Sequence, residues 1–95
     1  MPKDLPPEFY GMVDEFIGLA NSFMKVHGVE RTSAVIMFAA ARFNAHCLYS
    51  VDPEADQNRE DAEGYFVEQY RKMLEDNIDR LKSMNAKESG EHDNR

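Results

Sequence analysis

The chain has 95 residues, of which 18 are acidic and 11 are lysine or arginine, so its formal net charge is -7. This length supports one domain at most, and a hydrophobic content of 42% is enough for a packed core. The acidic balance argues against a basic surface, and we therefore expect no binding to nucleic acid or to an anionic membrane. A domain this short buries a small share of its surface, and dimerisation is a common remedy.

The first predicted helix runs from about Pro7 to His27. Apolar residues recur in this segment at the spacing of one helical face, and Pro6 and Pro7 suit a first turn, where a missing backbone N–H does no harm. We expect Gly28 to end the helix in a left-handed conformation. The apolar face comprises Phe9, Met12, Val13, Phe16, Ile17, Ala20, Phe23 and Met24.

The second predicted helix begins at a cap formed by Thr32 or Ser33 and ends near Ser50, ahead of Pro53. It is apolar on nearly every side, so it must be covered all round. Two neighbouring helices of the same chain cannot easily do this, which predicts a homodimer. Its length also suits a membrane span, but Arg42 near its centre costs roughly 2.5–3.5 kcal/mol on insertion scales. We therefore predict a buried helix of a soluble protein, with no membrane contact.

The third predicted helix starts between Pro53 and Asn58 and reaches about Met84. Because it is longer than the other two helices, it should leave apolar surface uncovered near Ile78 and Leu81. This overhang is a second argument for self-association. Its apolar face comprises Ala62, Phe66, Val67, Tyr70, Met73, Leu74, Ile78 and Leu81.

The predicted domain organisation is a helical domain over residues 1–84 followed by a disordered acidic and polar tail over residues 85–95. The tail has almost no apolar surface with which to offset the entropy of ordering. The predicted fold class is all-α, a three-helix up-down bundle assembled as a homodimer.

No motif for catalysis, metal binding or nucleotide binding can be defended from the sequence. A di-metal site in a helical bundle needs glutamate followed by histidine at i+3 on two helices, and no glutamate here has that neighbour. His27, His46 and His92 share no metal-ligand spacing. We therefore predict a protein that is not an enzyme and that holds no metal or cofactor.

Cys47 is the single cysteine, so no intramolecular disulfide is possible. It shares an apolar stripe of the second helix with Ala40 and Phe43, which favours a buried structural cysteine over an activated nucleophile. The first residues contain no apolar run, which predicts the absence of a secretory signal. Together these features predict a cytoplasmic protein whose thiol stays reduced.

One polar set on the second helix deserves comparison with a ligand site. Arg42, His46 and Tyr49 share a face and can converge on an anionic ligand. The simpler interpretation is that Arg42 is buried and paired with a carboxylate of a neighbouring helix. Asn44, on another stripe, is interpreted as a buried polar contact that fixes register or as an amide bonded to the backbone. The nearest carboxylates by helix position are Asp14, Glu15 and Glu68.

The chain resembles a family of small, all-helical bacterial proteins classed as a domain of unknown function. The resemblance lies in EFYGMVDEFIGLAN at residues 8–21, SAVIMFAAARFNAH at 33–46 and GYFVEQYRKMLEDNIDRL at 64–81, with AAARFNA and YFVEQY as its most specific strings. It implies an all-helical fold and a bacterial cytosolic source. It implies no activity, cofactor or site residue.

No specific biochemical function can be assigned from the sequence. The leading prediction is a non-enzymatic interaction or accessory protein that acts through a dimeric helical surface. The alternative is a binder of a small anionic or apolar ligand in an inter-helix pocket near Arg42, His46 and Tyr49. A closed pocket at those residues would favour the binder, and a large flat apolar patch would favour the interaction protein.

Overall fold

The computed structural model describes the backbone of residues 5–93 and the side chains of residues 5–86. This part of the chain is all-helical and contains no strand, as the sequence predicts. The chain divides after Ala55 into two units, the first containing two α-helices and the second containing the third. The helices are α1 (Pro7–His27), α2 (Val29–Val51) and α3 (Arg59–Asp93), with a short 3₁₀ helix at Ala55–Asn58 before α3.

Helix α1 has the predicted bounds. Pro7 occupies its first turn, and Lys25 and His27 lie in its last turn, where positive charge interacts favourably with the helix dipole. Gly28 ends the helix with a φ of 87°, and its N–H donates to the carbonyl oxygen of Met24 at 2.9 Å. The predicted positive φ is confirmed, but a ψ of 170° lies beyond the left-handed helical region that we expected.

Helix α2 begins earlier than predicted, at Val29, directly after Gly28. The prediction that Thr32 or Ser33 caps this helix is wrong, because both lie inside it. The N–H of Thr32 instead donates to the carbonyl oxygen of Gly28 at 3.3 Å. The positive φ of this one glycine turns the chain, so no separate loop is needed between the two helices.

Helix α2 ends at Val51, next to the predicted position. Asp52 is extended, with a φ of -142°, as expected for a residue that precedes proline. Its Oδ1 accepts a hydrogen bond from the N–H of Glu54 at 3.1 Å, and its carbonyl oxygen accepts one from the N–H of Ala55 at 3.0 Å. These two bonds form a tight turn that leads into the 3₁₀ helix.

Helix α3 begins at Arg59, just after the predicted range, and its backbone stays helical to Asp93. The predicted end near Met84 is therefore too early. Residues 85–93 contain no proline, so no backbone break forces the helix to stop where its apolar residues run out. The rest of the predicted tail, residues 94–95, lies outside the described residues. The division into a domain and a tail stays a prediction.

Exposed ion pairs lie along α3. Arg71 donates from Nε and Nη2 to the two carboxylate oxygens of Glu68, at 3.1 and 2.6 Å, and from Nη1 to Glu75. The hydrogen bonds from Arg71 hold the pKa of Glu68 below its usual value and raise the pKa of Arg71. These groups are exposed and solvent screens their interaction. The ion pairs therefore add little to the free energy of unfolding, and the charges mainly keep the protein soluble.

Very few side chains are buried in the described residues. Ala55 is 2% exposed and Thr32 is 5% exposed, whereas no residue of α1 is buried. Most of the large apolar side chains on the three α-helices are exposed, at between 39% and 83%, and Phe9, Leu48 and Phe66 are half-buried. Within the first unit, α1 therefore does not provide the cover that α2 requires.

Candidate functional site

The main candidate site is the exposed apolar surface of the helices. The exposed fraction is 75% for Phe16 on α1, 68% for Phe43 on α2 and 67% for Val67 on α3. Soluble monomers rarely leave such side chains in water in continuous stretches, because an exposed apolar patch marks an interaction site. Other exposed members are Met12, Ile17 and Phe23 on α1, Ile36, Met37 and Phe38 on α2, and Tyr70, Leu74, Ile78 and Leu81 on α3.

Arg42 is exposed on α2 and contacts an aromatic ring. Its guanidinium lies 5.0 Å from the ring centroid of Phe38, one turn earlier. It forms no ion pair with the residues that the structure describes, so the predicted buried pair with a carboxylate is wrong. Of the three predicted partners, Asp14 and Glu15 are exposed on α1, and Glu68 is bonded to Arg71 instead.

The other members of the predicted polar set lie along α2 near Arg42. His46 is exposed, and its carbonyl oxygen accepts a hydrogen bond from the hydroxyl of Ser50 at 2.9 Å. Tyr49 is 46% exposed. Asn44 is half-buried, which is less than the burial predicted for a contact that fixes register. The structure places these residues on the helix surface, and a ligand role for them stays a prediction.

Cys47 is exposed, so the prediction of a buried cysteine is wrong for the single chain. Cys47 is exposed because the whole apolar stripe to which it belongs is exposed. Phe43, one turn earlier, is 68% exposed, and Ala40 is also exposed. An apolar stripe buries its cysteine only where another helix covers that stripe. The exposed thiol therefore reports whether this face of α2 is covered in solution.

A cavity at the junction of α1 and α2 was not expected from the sequence. It has a volume of about 290 Å³ and is lined by Phe23, His27, Arg31, Thr32 and Val35. Thr32 is 5% exposed, and its Oγ1 has no hydrogen-bond partner in the structure. The sequence signal that could have found this site is the spacing of His27 and Arg31, four residues apart across Gly28.

The described residues also bear on metal binding and on membrane insertion. Among the described residues, no group of three or more His, Cys, Asp or Glu side chains could hold a metal ion. Helix α2 is long and apolar enough to cross a membrane by length and composition alone, because an 18-residue window of it has a mean hydropathy of 1.2, and none of that window is buried. The interpretation of α2 as the buried helix of a soluble protein thus depends on a cover other than α1.

These features define a small all-helical protein whose apolar surface is largely uncovered. Residues 9–81 match the family described as Protein of unknown function (DUF3144), and the chain belongs to this family. The resemblance to a domain of unknown function is therefore confirmed. No curated protein and no solved structure matches the chain. The family description names no activity, so it assigns no specific biochemical function.

Proposed function

We propose that this protein is a non-enzymatic interaction or accessory protein of the bacterial cytoplasm that acts as a homodimer. In this proposal the three helices form an up-down bundle that is completed by a second copy. The observation that carries the proposal is the exposure of large apolar side chains on α1, α2 and α3, between 39% and 83%. Covering such surface is the main favourable term in protein association.

The exposed area is of the size that a specific interface needs. Phe16, Phe38 and Phe43 are 75%, 65% and 68% exposed. At 150–250 Å² for a whole aromatic side chain, these three rings expose about 300–500 Å². A standard interface covers about 800 Å² per partner. A few more exposed side chains from α1 or α3 would complete that area.

A second copy is the partner that fits this surface best. Each copy carries the same uncovered stripes, so a two-fold interface satisfies both copies at once. The surface is apolar and needs no oppositely charged partner, although the chain as a whole carries a net charge of -7. Short chains also depend on oligomerisation more than long ones, because they bury a smaller share of their own surface.

The competing use of α2 is insertion into a membrane. Its length and hydropathy allow this, but Arg42, Asn44 and His46 lie near its centre. An arginine in that position costs roughly 2.5–3.5 kcal/mol on insertion scales. The same exposed apolar side chains are accommodated by a second copy without this cost, because the rim of an interface remains hydrated.

The test is the molar mass of the purified chain in detergent-free buffer, measured by light scattering at micromolar concentration. The proposal predicts twice the chain mass of 10.9 kDa. Phe43→Glu should shift the mass towards the monomer, because it places a charge on a stripe that must be covered. The matched control is Ser22→Glu, an exposed polar position on the side of α1 opposite its apolar face.

Two results would contradict the proposal. One is a mass of 10.9 kDa for the wild-type chain over the whole concentration range. The other is a chain that stays in the membrane fraction of lysed cells and requires detergent for extraction, which would assign α2 to the bilayer. Equal shifts from Phe43→Glu and Ser22→Glu would show that the added charge, and not its place on the Phe43 stripe, causes the dissociation.

A further inference from the structure

The connection between α1 and α2 is too short for these helices to pack against each other within one chain. Gly28 alone separates the last residue of α1, His27, from the first residue of α2, Val29. Two antiparallel helices that pack side by side are joined by a loop of about two to five residues. A single residue cannot reverse the chain and also leave roughly 8–10 Å between the two helix axes. Helix α1 therefore cannot fold back along α2 of its own chain.

The exposure of the side chains agrees with this restriction. Among the described residues of α1 and α2, only Thr32 is buried, and it lies close to Gly28. Every residue from Tyr10 to Leu19 on α1 and from Ser33 to Phe43 on α2 is exposed. The two helices therefore meet beside Gly28 and do not pack along their lengths.

Both helices nevertheless carry apolar surface of the extent that a contact between them would need. The apolar face of α1 is one stripe, whereas α2 is apolar on nearly every side, so α1 suits the cover that α2 requires. Phe16 and Phe23 on α1 and Phe43 on α2 expose about 300–450 Å² of ring surface. A dimer that contains this contact twice gains about 600–900 Å² from these rings, roughly half of a standard interface.

We propose that two copies of the chain exchange their first helices, so that α1 of each copy packs along α2 of the other. This exchange rests on the proposed function, because it specifies how the second copy covers α2. Exchange of an identical element is an accessible route to a dimer, and a short hinge next to that element favours it. Gly28 is the hinge, and each helical bundle takes its first helix from the other copy.

The experiment lengthens this hinge in the full chain. Five residues, Gly-Ser-Gly-Ser-Gly, are inserted directly after Gly28, which brings the connection into the range of ordinary helix–helix loops. Helix α1 should then fold back along α2 of its own chain, and light scattering should show that the dimer dissociates at an at least tenfold higher concentration. The matched control is the same insert between Asn58 and Arg59, at the start of α3. It should leave the concentration of dissociation unchanged.

A second measurement uses complementary substitutions. Phe16→Glu and Phe43→Glu should each weaken the dimer, because in an exchanged dimer each substitution damages both contacts between α1 and α2. When the two variants are unfolded together and refolded as a mixture, the mixed dimer has one contact with both charges and one contact with neither. The mixture should therefore form dimers at an at least tenfold lower concentration than either variant alone.

The outcomes separate the exchange from the proposed dimer. A monomeric wild-type chain would contradict the proposed function and the exchange together. A wild-type dimer that is unaffected by the insert after Gly28 would keep the proposed dimer and overturn the exchange. A larger effect of the insert before Arg59 would also overturn it, because the exchanged element would then be α3.

The substitutions provide independent ways to contradict the exchange. A Phe16→Glu variant that dimerises like the wild type would place α1 outside the interface. A mixture that dimerises no better than Phe16→Glu or Phe43→Glu alone would show that α1 of one copy does not contact α2 of the other. The inserts and the substitutions are separate sets of variants, so each set remains decisive if the other fails to fold.

Discussion

The guanidinium of Arg42 lies over the ring of Phe38, 5.0 Å from the ring centroid. Both side chains are exposed and both belong to α2. The contact is therefore local to one helix and does not connect α2 to another part of the chain. A guanidinium that keeps its water and rests on an aromatic face needs no carboxylate partner.

Arg42→Ala should consequently have a small effect on stability. An exposed cation–π contact contributes about 0.5–1 kcal/mol, so the free energy of unfolding in urea should fall by no more than this amount. Phe38→Leu removes the ring and keeps an apolar side chain, and it should abolish the effect of a second Arg42→Ala substitution. A loss of about 3–5 kcal/mol would instead be typical of a broken buried ion pair and would contradict the structure.

Gly28 should be intolerant of any side chain. Its φ of 87° and ψ of 170° lie in a region that is essentially restricted to glycine. Gly28→Ala should therefore lower the free energy of unfolding by about 1–3 kcal/mol. The control is Gly18→Ala in the middle of α1, where an added Cβ meets nothing within 4 Å. That change should raise stability by roughly 0.5–1 kcal/mol, and a loss there would show that α1 is covered at this point.

Thr32→Val should stabilise the protein. The two side chains have the same shape, and the substitution removes a buried hydroxyl that has no hydrogen-bond partner among the described residues. The expected gain in the free energy of unfolding is about 1–3 kcal/mol, the cost of an unsatisfied buried group. Ser33→Ala, at the exposed neighbouring position, should change stability by less than about 0.5 kcal/mol. A destabilised Thr32→Val variant would mean that the hydroxyl is hydrogen-bonded in solution.

Cys47 should report the covering of α2. As an exposed thiol, it should react with a thiol reagent in dilute protein at nearly the rate measured in denaturant. As protein concentration rises, dimer formation should cover the stripe that it shares with Phe43 and slow the reaction. The rate is measured across the concentrations at which light scattering detects the dimer. A rate that stays constant there would place Cys47 outside the interface.

The local signals in the sequence predicted the helices well. Pro7 and Gly28 fix the ends of α1 because each acts on the backbone at its own position. The start of α2 was misplaced because Thr32 and Ser33 resemble a cap, while Gly28 alone already provides the turn. The predicted end of α3, near Met84, is too early. Apolar residues indicate which part of a helix is covered, but the helical backbone can continue beyond the last of them.

The candidate sites were harder to predict because they depend on which surfaces meet. Arg42 and Cys47 were predicted to be buried on the assumption that α2 is surrounded by helices. Both side chains are exposed in the structure. We therefore propose that a second copy of the chain provides the cover that the prediction assumed. Thr32 was interpreted as a cap, because nothing in a single sequence indicates that a hydroxyl will be enclosed without a partner.

The most direct test of the account is the dependence of thermal unfolding on protein concentration. If a second copy covers the apolar stripes, folding and association are coupled, and the melting temperature must rise with concentration. Circular dichroism melts over a hundredfold concentration range should show this rise for the wild type and a smaller one for Phe43→Glu. A melting temperature that is the same at every concentration, with a cooperative transition, would show that the chain folds and is stable as a monomer.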